Sequence, residues 1–241
     1  MRESIERTTV GEIVAGNWRA ARVFEQHGID FCCGGRRTLS EACRTASVDP
    51  VALQTALEAL PKALHSDADD IAHWPVDRLL DHIVEAHHGY VRNAVPTISR
   101  RLAKLVDVHG ARHPELAQIA AAFERMGRDL LEHMIKEERA LFPYIRALAR
   151  ADGAARPPAP FGSVEYAISA MELEHRDSGA EMQLIRELTG GFVPPASACG
   201  TYRVTFAELA DFERDLHRHV HLENNVVFPK ALAFEQQLSR A

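Results

Sequence analysis

The sequence lacks the marks of several protein classes. It has no run of about 20 apolar residues, so no candidate membrane-spanning helix is expected. Its first residues, Met1-Arg2-Glu3-Ser4-Ile5-Glu6-Arg7, lack the apolar stretch of a signal peptide, and a cytoplasmic location is the default expectation. Four cysteines in 241 residues, Cys32, Cys33, Cys43 and Cys199, do not make the disulfide framework of a secreted scaffold. Lys and Arg (28) are outnumbered by Asp and Glu (34), for a net charge of −6, and no long basic run occurs. That balance argues against a nucleic-acid partner. No convincing strand pattern is present either. What remains is a chain with 46% hydrophobic residues, ordinary for a globular protein, and 13 histidines, a number that raises the question of metals.

The histidines fall into a repeat. Residues 129–143 and 215–229 use one phrase twice: Asp, His and Glu four residues apart, closed by an aliphatic-Phe-Pro. The first copy holds Asp129, His133, Glu137 and Leu141-Phe142-Pro143; the second holds Asp215, His219, Glu223 and Val227-Phe228-Pro229. Four residues of α-helix advance about 6 Å and turn slightly more than a full circle, so each His and its Glu share a face. Upstream, His88 lies 45 residues before His133 and His175 lies 44 before His219, each in a helical pattern of its own. Repetition of this kind fixes architecture. It implies two helix pairs in a pseudo-symmetric four-helix bundle, all-α, with ligands in the core.

Around the repeat the chain divides into residues 1–60, a small helical unit; 61–74, a linker with Pro61 and an acidic stretch; and 75–241, the bundle. Residues 8–27 read as one helix, stopped by Gly28. Thr38 and Glu41 form a capping box for a second short helix, and Asp49-Pro50 opens a third. Pro75 and Pro114 open the first two bundle helices, and Pro96 is expected to kink or loosen the first. The Gly- and Pro-rich segment 151–162 connects the two halves. Ser163 caps the third bundle helix, which runs to about Leu188. After Gly190-Gly191 and Pro194-Pro195, the fourth runs from about Ala198 into Phe228-Pro229.

Four imidazoles and two carboxylates give six protein ligands. If both carboxylates bridge two ions, each ion receives two imidazoles and two carboxylate oxygens. A solvent-derived oxo or hydroxo bridge makes five and leaves one position open on each. Mixed imidazole and carboxylate ligation suits iron, with manganese or zinc as competitors. Asp129 and Asp215, one turn before each motif His, are placed to hold a ligand imidazole in its tautomer. His87 points about 100° from His88, so only one of them faces the core centre. His82, His87, His217 and His221 read as solvated residues or as partners of the ligands.

Cys32-Cys33 is a second signal. Adjacent cysteines form a disulfide only with strain, because their Cα atoms are held about 3.8 Å apart. Gly34-Gly35 lets the backbone bend and expose the thiols, which suggests a redox or metal-transfer pair. Cys43 and Cys199 read as buried small hydrophobes.

These residues resemble a known family. The stretches Asp30-Phe31-Cys32-Cys33-Gly34-Gly35, His133-Met134-Ile135-Lys136-Glu137-Glu138 with Leu141-Phe142-Pro143, Met171-Glu172-Leu173-Glu174-His175 and Leu222-Glu223-Asn224-Asn225-Val226-Val227-Phe228-Pro229 are similar to those of the di-iron iron–sulfur cluster repair proteins. In that family a hemerythrin-like bundle follows a C-C-G-G domain. The likeness spans nearly the whole chain. It implies two iron ions with an oxo or hydroxo bridge, held by His88 rather than His87 and by His133, Glu137, His175, His219 and Glu223. It places acidic partners of the ligands near Asp129 and Glu174. It also implies a cytoplasmic stress protein that restores clusters damaged by nitric oxide or peroxide. Relatives associated with denitrification bind NO and lower its concentration, which gives an alternative function as an NO buffer or reductase. A sensor or carrier of O2 or NO ranks last, since a carrier needs no C-C-G-G domain. Damaged iron–sulfur proteins are then the macromolecular partners, a homodimer stays open, and neither nucleic acid nor membrane is expected.

Overall fold

The computed structural model describes residues 8–61, 71–151 and 156–239. Most of the expected linker and part of the expected 151–162 connection lie outside the described residues. Among those described, the chain is helical, and Thr9 and Thr38 form an isolated β-bridge. No described helix is long and apolar enough to cross a membrane. The chain forms two compact units, one from Met1–Leu80, Leu148–Arg156 and Arg218–Ala241, the other from Asp81–Ala147 and Pro157–His217.

In the first unit, α1 (Val10–Gly16) and α2 (Arg19–Gln26) stand where one helix was expected. The break is at Asn17, which is extended; its side-chain oxygen accepts the Arg19 N–H at 3.2 Å and its amide reaches Pro61 O at 3.1 Å. A side chain that competes for backbone groups in this way ends one helix and starts another. Gly28, at φ 65°, closes α2: the Ile29 N–H bonds to Phe24 O at 2.9 Å and the Gly28 N–H to Glu25 O at 3.1 Å, the paired bonds of a left-handed helix stop. The Thr38–Glu41 capping box starts α3 (Leu39–Ala46), and Asp49 with Pro50 starts α4 (Pro50–Glu58). Val14, Phe24, Phe31, Leu39, Cys43 and Leu53 are buried.

In the second unit, α6 (Gly89–His109) packs on α7 (Glu115–Lys136), and α7 on α9 (Val164–Leu188). The close approach of α6 to α7 needs Gly127, where an added Cβ would sit 2.7 Å from Val95 Cγ1. α6 runs as one helix through Pro96. Val95, Ile98 and Leu102 are buried around it, so packing holds the turn despite the missing N–H. The irregularity lies just upstream, between α5 (Val76–His82) and α6. Ser163 caps α9 through the Tyr166 N–H at 3.2 Å. In α10 (Gly200–Leu222), Phe212 meets Phe123 edge-on at 5.2 Å.

Candidate metal centre

Among the described residues, three helices widen into π turns: π1 at Ile83–His88, π2 at Glu137–Leu141 and π3 at Glu223–Val227. π2 leads into α8 (Phe142–Arg150) and π3 into α11 (Phe228–Leu238). The aliphatic-Phe-Pro phrase explains two of them. Proline has no N–H to give to the carbonyl four residues back, and its ring clashes with that carbonyl. The chain instead bonds five back just before the proline: Phe142 N–H to Glu137 O, and Phe228 N–H to Glu223 O. π turns of this kind concentrate at functional sites. Here His88 ends one, and Glu137 and Glu223 each begin one.

The second unit gathers His88, His133, Glu137 and His175, all buried, with Glu137 at 0% exposure. Glu137 Oε2 lies 3.4 Å from His88 Nε2 and 3.3 Å from His133 Nε2. His133 Nε2 and His175 Nε2 approach to 3.0 Å, a spacing at which one proton at most fits between them. The opposite nitrogens are held from outside. His133 Nδ1 meets Glu174 Oε2 at 2.8 Å, and Lys136 Nζ donates to the other Glu174 oxygen at 2.6 Å. The His133 bond, aided by Lys136 and against the opposing effect of burial, brings the Glu174 carboxyl down to about 2. His88 Nδ1 meets Glu138 Oε1 at 2.6 Å, and Arg92 also donates to that oxygen. Burial would raise the Glu138 carboxyl, but these two bonds outweigh it and hold it below the ordinary range. Each carboxylate accepts a hydrogen bond from Nδ1–H, which leaves the Nε2 lone pair facing inward.

In the first unit, His219 Nε2 lies 2.9 Å from Glu223 Oε1, both fully buried.

Several expectations need correction. Asp129 does not hold His133; its side chain is 61% exposed and accepts from Arg128 at 3.0 Å. A same-face position one turn away left it pointing to solvent, while Glu174 from α9 took the role. Asp215 does not hold His219; it meets His87 Nδ1 at 2.9 Å. His87 is accordingly buried rather than solvated, with His82 edge-on at 5.4 Å. His221 is also buried, between Trp18 and Phe31 at 5.8 Å from each ring; burial pushes its imidazole down to about 4, so it is neutral near pH 7. Cys43 is buried, but Cys199 is exposed, with its sulfur 3.4 Å from His109 Nε2.

The thiol loop packs in the first unit, on π3. Asn225 donates its amide to Phe31 O at 3.3 Å and Cys32 O at 3.1 Å, and Asn224 donates to Cys32 O at 3.4 Å. Gly11 and Gly35 make room: a Cβ on either would lie 2.5 or 2.2 Å from Asn225 Oδ1. The expectation of two exposed thiols holds only in part, because Cys32 is buried and Cys33 half-buried. The Cys32 thiol is raised well above its ordinary value, first by its hydrogen bond with Cys33, then by burial and the Asp30 charge.

Sequence reasoning missed Glu138, Asn224 and Asn225. One signal was available: the two copies of the phrase agree at their ends but differ between Glu and Phe-Pro, Glu138-Arg139-Ala140 against Asn224-Asn225-Val226. Those are the positions that serve different neighbours.

Two buried carboxylates and four buried imidazoles are costly to hold out of water as ionisable groups. Inward Nε2 lone pairs beside a carboxylate form a donor set that a divalent transition ion offsets, and the His/Glu clusters fit a metal-binding site.

The sequence profile of the Hemerythrin HHE cation binding domain matches residues 79–231, and that of a domain of unknown function, DUF542, matches residues 6–61. The chain is 35% identical over 227 residues to the iron-sulfur cluster repair protein YtfE of Pectobacterium atrosepticum, covering 94% of this chain and 97% of the relative. The protein of the same name from Pectobacterium carotovorum matches at 35%, and that from Yersinia pestis at 34%, over the same shares of both chains.

Proposed function

Because the chain belongs to the hemerythrin HHE cation-binding family, we propose that His88, His133, Glu137, His175, His219 and Glu223 hold two iron ions joined by an oxo or hydroxo bridge, and that the protein repairs damaged iron–sulfur clusters in the cytoplasm by giving up iron as cargo. The observation that carries this reading is the inward-facing pair His88 and His133 on a fully buried Glu137, each imidazole set by a carboxylate behind it. The matched family span, residues 79–231, includes all six positions, and relatives aligned over nearly their whole length are named for cluster repair. When bound, the iron pair supplies releasable ferrous ions and coordination positions open to a diatomic gas.

The chain's own groups have defined tasks in this reading. Glu138 and Glu174 keep the Nε2 lone pairs of His88 and His133 inward. Lys136 and Arg92 anchor those carboxylates at the surface. Phe142, stacked on His88 at 5.8 Å, keeps water from the imidazole. Cys32 and Cys33 take iron on its way out.

The test is reactivation of a cluster enzyme inactivated by NO. Iron-loaded, reduced protein restores activity, and Cys32→Ala retains bound iron but slows repair. Iron-loaded protein that leaves the enzyme inactive, where the same amount of free ferrous iron revives it, removes the reading. A second reading, NO buffering or reduction, is supported by the ligand count, which leaves one position open on each ion. Steady N2O formation without cluster repair would favour it.

A further inference from the structure

The thiol loop carries a donor set of its own. Asp30, Cys32 and Cys33 each bring a ligand atom within 4.8 Å of the other two. An ion with thiolates at ~2.3 Å and a carboxylate oxygen at ~2.1 Å sets tetrahedral donors roughly 3.5–4 Å apart. The three groups therefore need to close by about an ångström.

The backbone presenting them is already fixed on both sides. From inside, Asp30 Oδ1 accepts the N–H groups of Cys32 and Cys33 at 3.0 and 2.9 Å, and lies 3.3 Å from Cys32 Sγ. From outside, Asn224 and Asn225 hold the Phe31 and Cys32 carbonyls. Exposure is graded along the loop: Asp30 exposed, Cys33 half-buried, Cys32 buried. An ion arriving from solvent meets Asp30 and Cys33 first and comes to rest against Cys32. Cys33 and Asp30 both oppose a negative charge on Cys32, and a cation among the three reverses that opposition.

We infer that Asp30, Cys32 and Cys33 form a third metal site, separate from the His/Glu ligands, that takes one borderline divalent cation such as Fe2+ or Co2+. Binding displaces one proton from each thiol and forms two metal–thiolate bonds and one metal–carboxylate bond, with no change of oxidation state. Three protein ligands leave a fourth tetrahedral position open, which suits an ion that is passed on. Asn224 and Asn225 directly follow Glu223, so the loop is tied to the turn bearing a proposed bundle ligand. The inference deepens the proposed iron donation and rests on it for the identity of the cargo. The site itself is tested apart from that reading.

The experiment titrates Co2+ into the reduced full-length protein, with Cys43→Ala and Cys199→Ala in every sample, and follows thiolate-to-cobalt charge-transfer absorption. His and Glu ligands give no such band. The expected result is a band that saturates with rising Co2+ at the intensity of one loop-bound ion per chain, whatever cobalt the His/Glu ligands take up, and is lost in Cys32→Ser and in Cys33→Ser. In Asp30→Asn, which keeps the loop's backbone acceptor, the affinity falls by more than roughly tenfold, the least expected even for groups behind a ligand. The band persists in Glu223→Gln, so failure of the bundle reading leaves this result unchanged. No band in a protein with both loop thiols reduced, a band that survives Cys32→Ser with Cys33→Ser, or unchanged affinity in Asp30→Asn overturns the three-ligand site.

Discussion

Gly35→Ala tests whether the thiol loop is locked onto π3. A Cβ at Gly35 would lie 2.2 Å from Asn225 Oδ1 and 2.7 Å from the Phe31 carbonyl oxygen, against an ordinary contact of roughly 3.5 Å. The Asn225 side chain can swing away, but the Phe31 carbonyl is backbone and must retreat by most of an ångström. Overpacking of this kind costs about 1–3 kcal/mol. Turning Asn225 aside also gives up its bonds to Phe31 O and Cys32 O, each worth about 0.5–1.5 kcal/mol. Against this, alanine restricts the unfolded chain and returns roughly 0.4–1 kcal/mol. The balance is a loss of about 3 kcal/mol, or roughly a hundredfold in the opening equilibrium. Native-state hydrogen exchange reads it at the Gly11 N–H, which bonds to Gly35 O at 2.9 Å. The control is Gly16→Ala, where an added Cβ meets nothing within 4 Å and a gain of about 0.5–1 kcal/mol is expected. Gly35→Ala protein whose Gly11 exchange stays within about 0.5 kcal/mol of the parent would refute the close packing.

Other perturbations separate groups that the sequence treats alike. Glu174→Gln should weaken metal binding about 10–100-fold, whereas Asp129→Asn should leave it unchanged; metal analysis after dialysis distinguishes them, and equal losses would contradict the geometry. His88→Ala should lower bound metal, while His87→Ala should keep the metal and lower the melting temperature, because it strands Asp215; a metal-free His87→Ala protein would reverse that choice. The backbone bond from Thr38, then its hydroxyl bond, lower the Glu41 carboxyl. Its capping contribution is therefore complete above the ordinary carboxyl range and lost as pH falls through the lowered value, and Glu41→Gln should flatten that acid limb in melts of the parent and variant across pH. Unchanged curves would show that the cap carries no charge dependence.

The all-α class and the helical bundle were legible because a doubled i, i+4 phrase with matched upstream histidines is a strong periodic signal; the hemerythrin likeness came from the resemblance of the motifs themselves. Caps were legible for the same local reason: Ser163, Thr38 with Glu41, and Asp49 act within three residues of themselves. What stayed hidden depended on distant neighbours. Asp215 acts on a histidine 128 residues away, and helical phase cannot say which element passes behind an imidazole; Glu174, 41 residues from His133, was pointed out by the family resemblance alone. Asp129 shows the reverse error, since sharing a helix face with His133 did not bring it near the ring. The Asn17 break was missed because apolar spacing continues across it while the side chain takes over backbone bonding. π2 and π3 were missed because proline was read as an ending, whereas there it widens the turn before it.

Those widened turns affect how the chain tolerates change in length. Each carries one residue more than an α-helical path would, and the local widening absorbs it. Deleting one position between Glu137 and Phe142, or between Glu223 and Phe228, would let the turn close to four-residue bonding. Phe142, Ile145 and Leu148, or Phe228 and Ala231, now buried, would keep their faces. The loss would fall on the glutamate that opens the turn, because the widened backbone that places it would be gone.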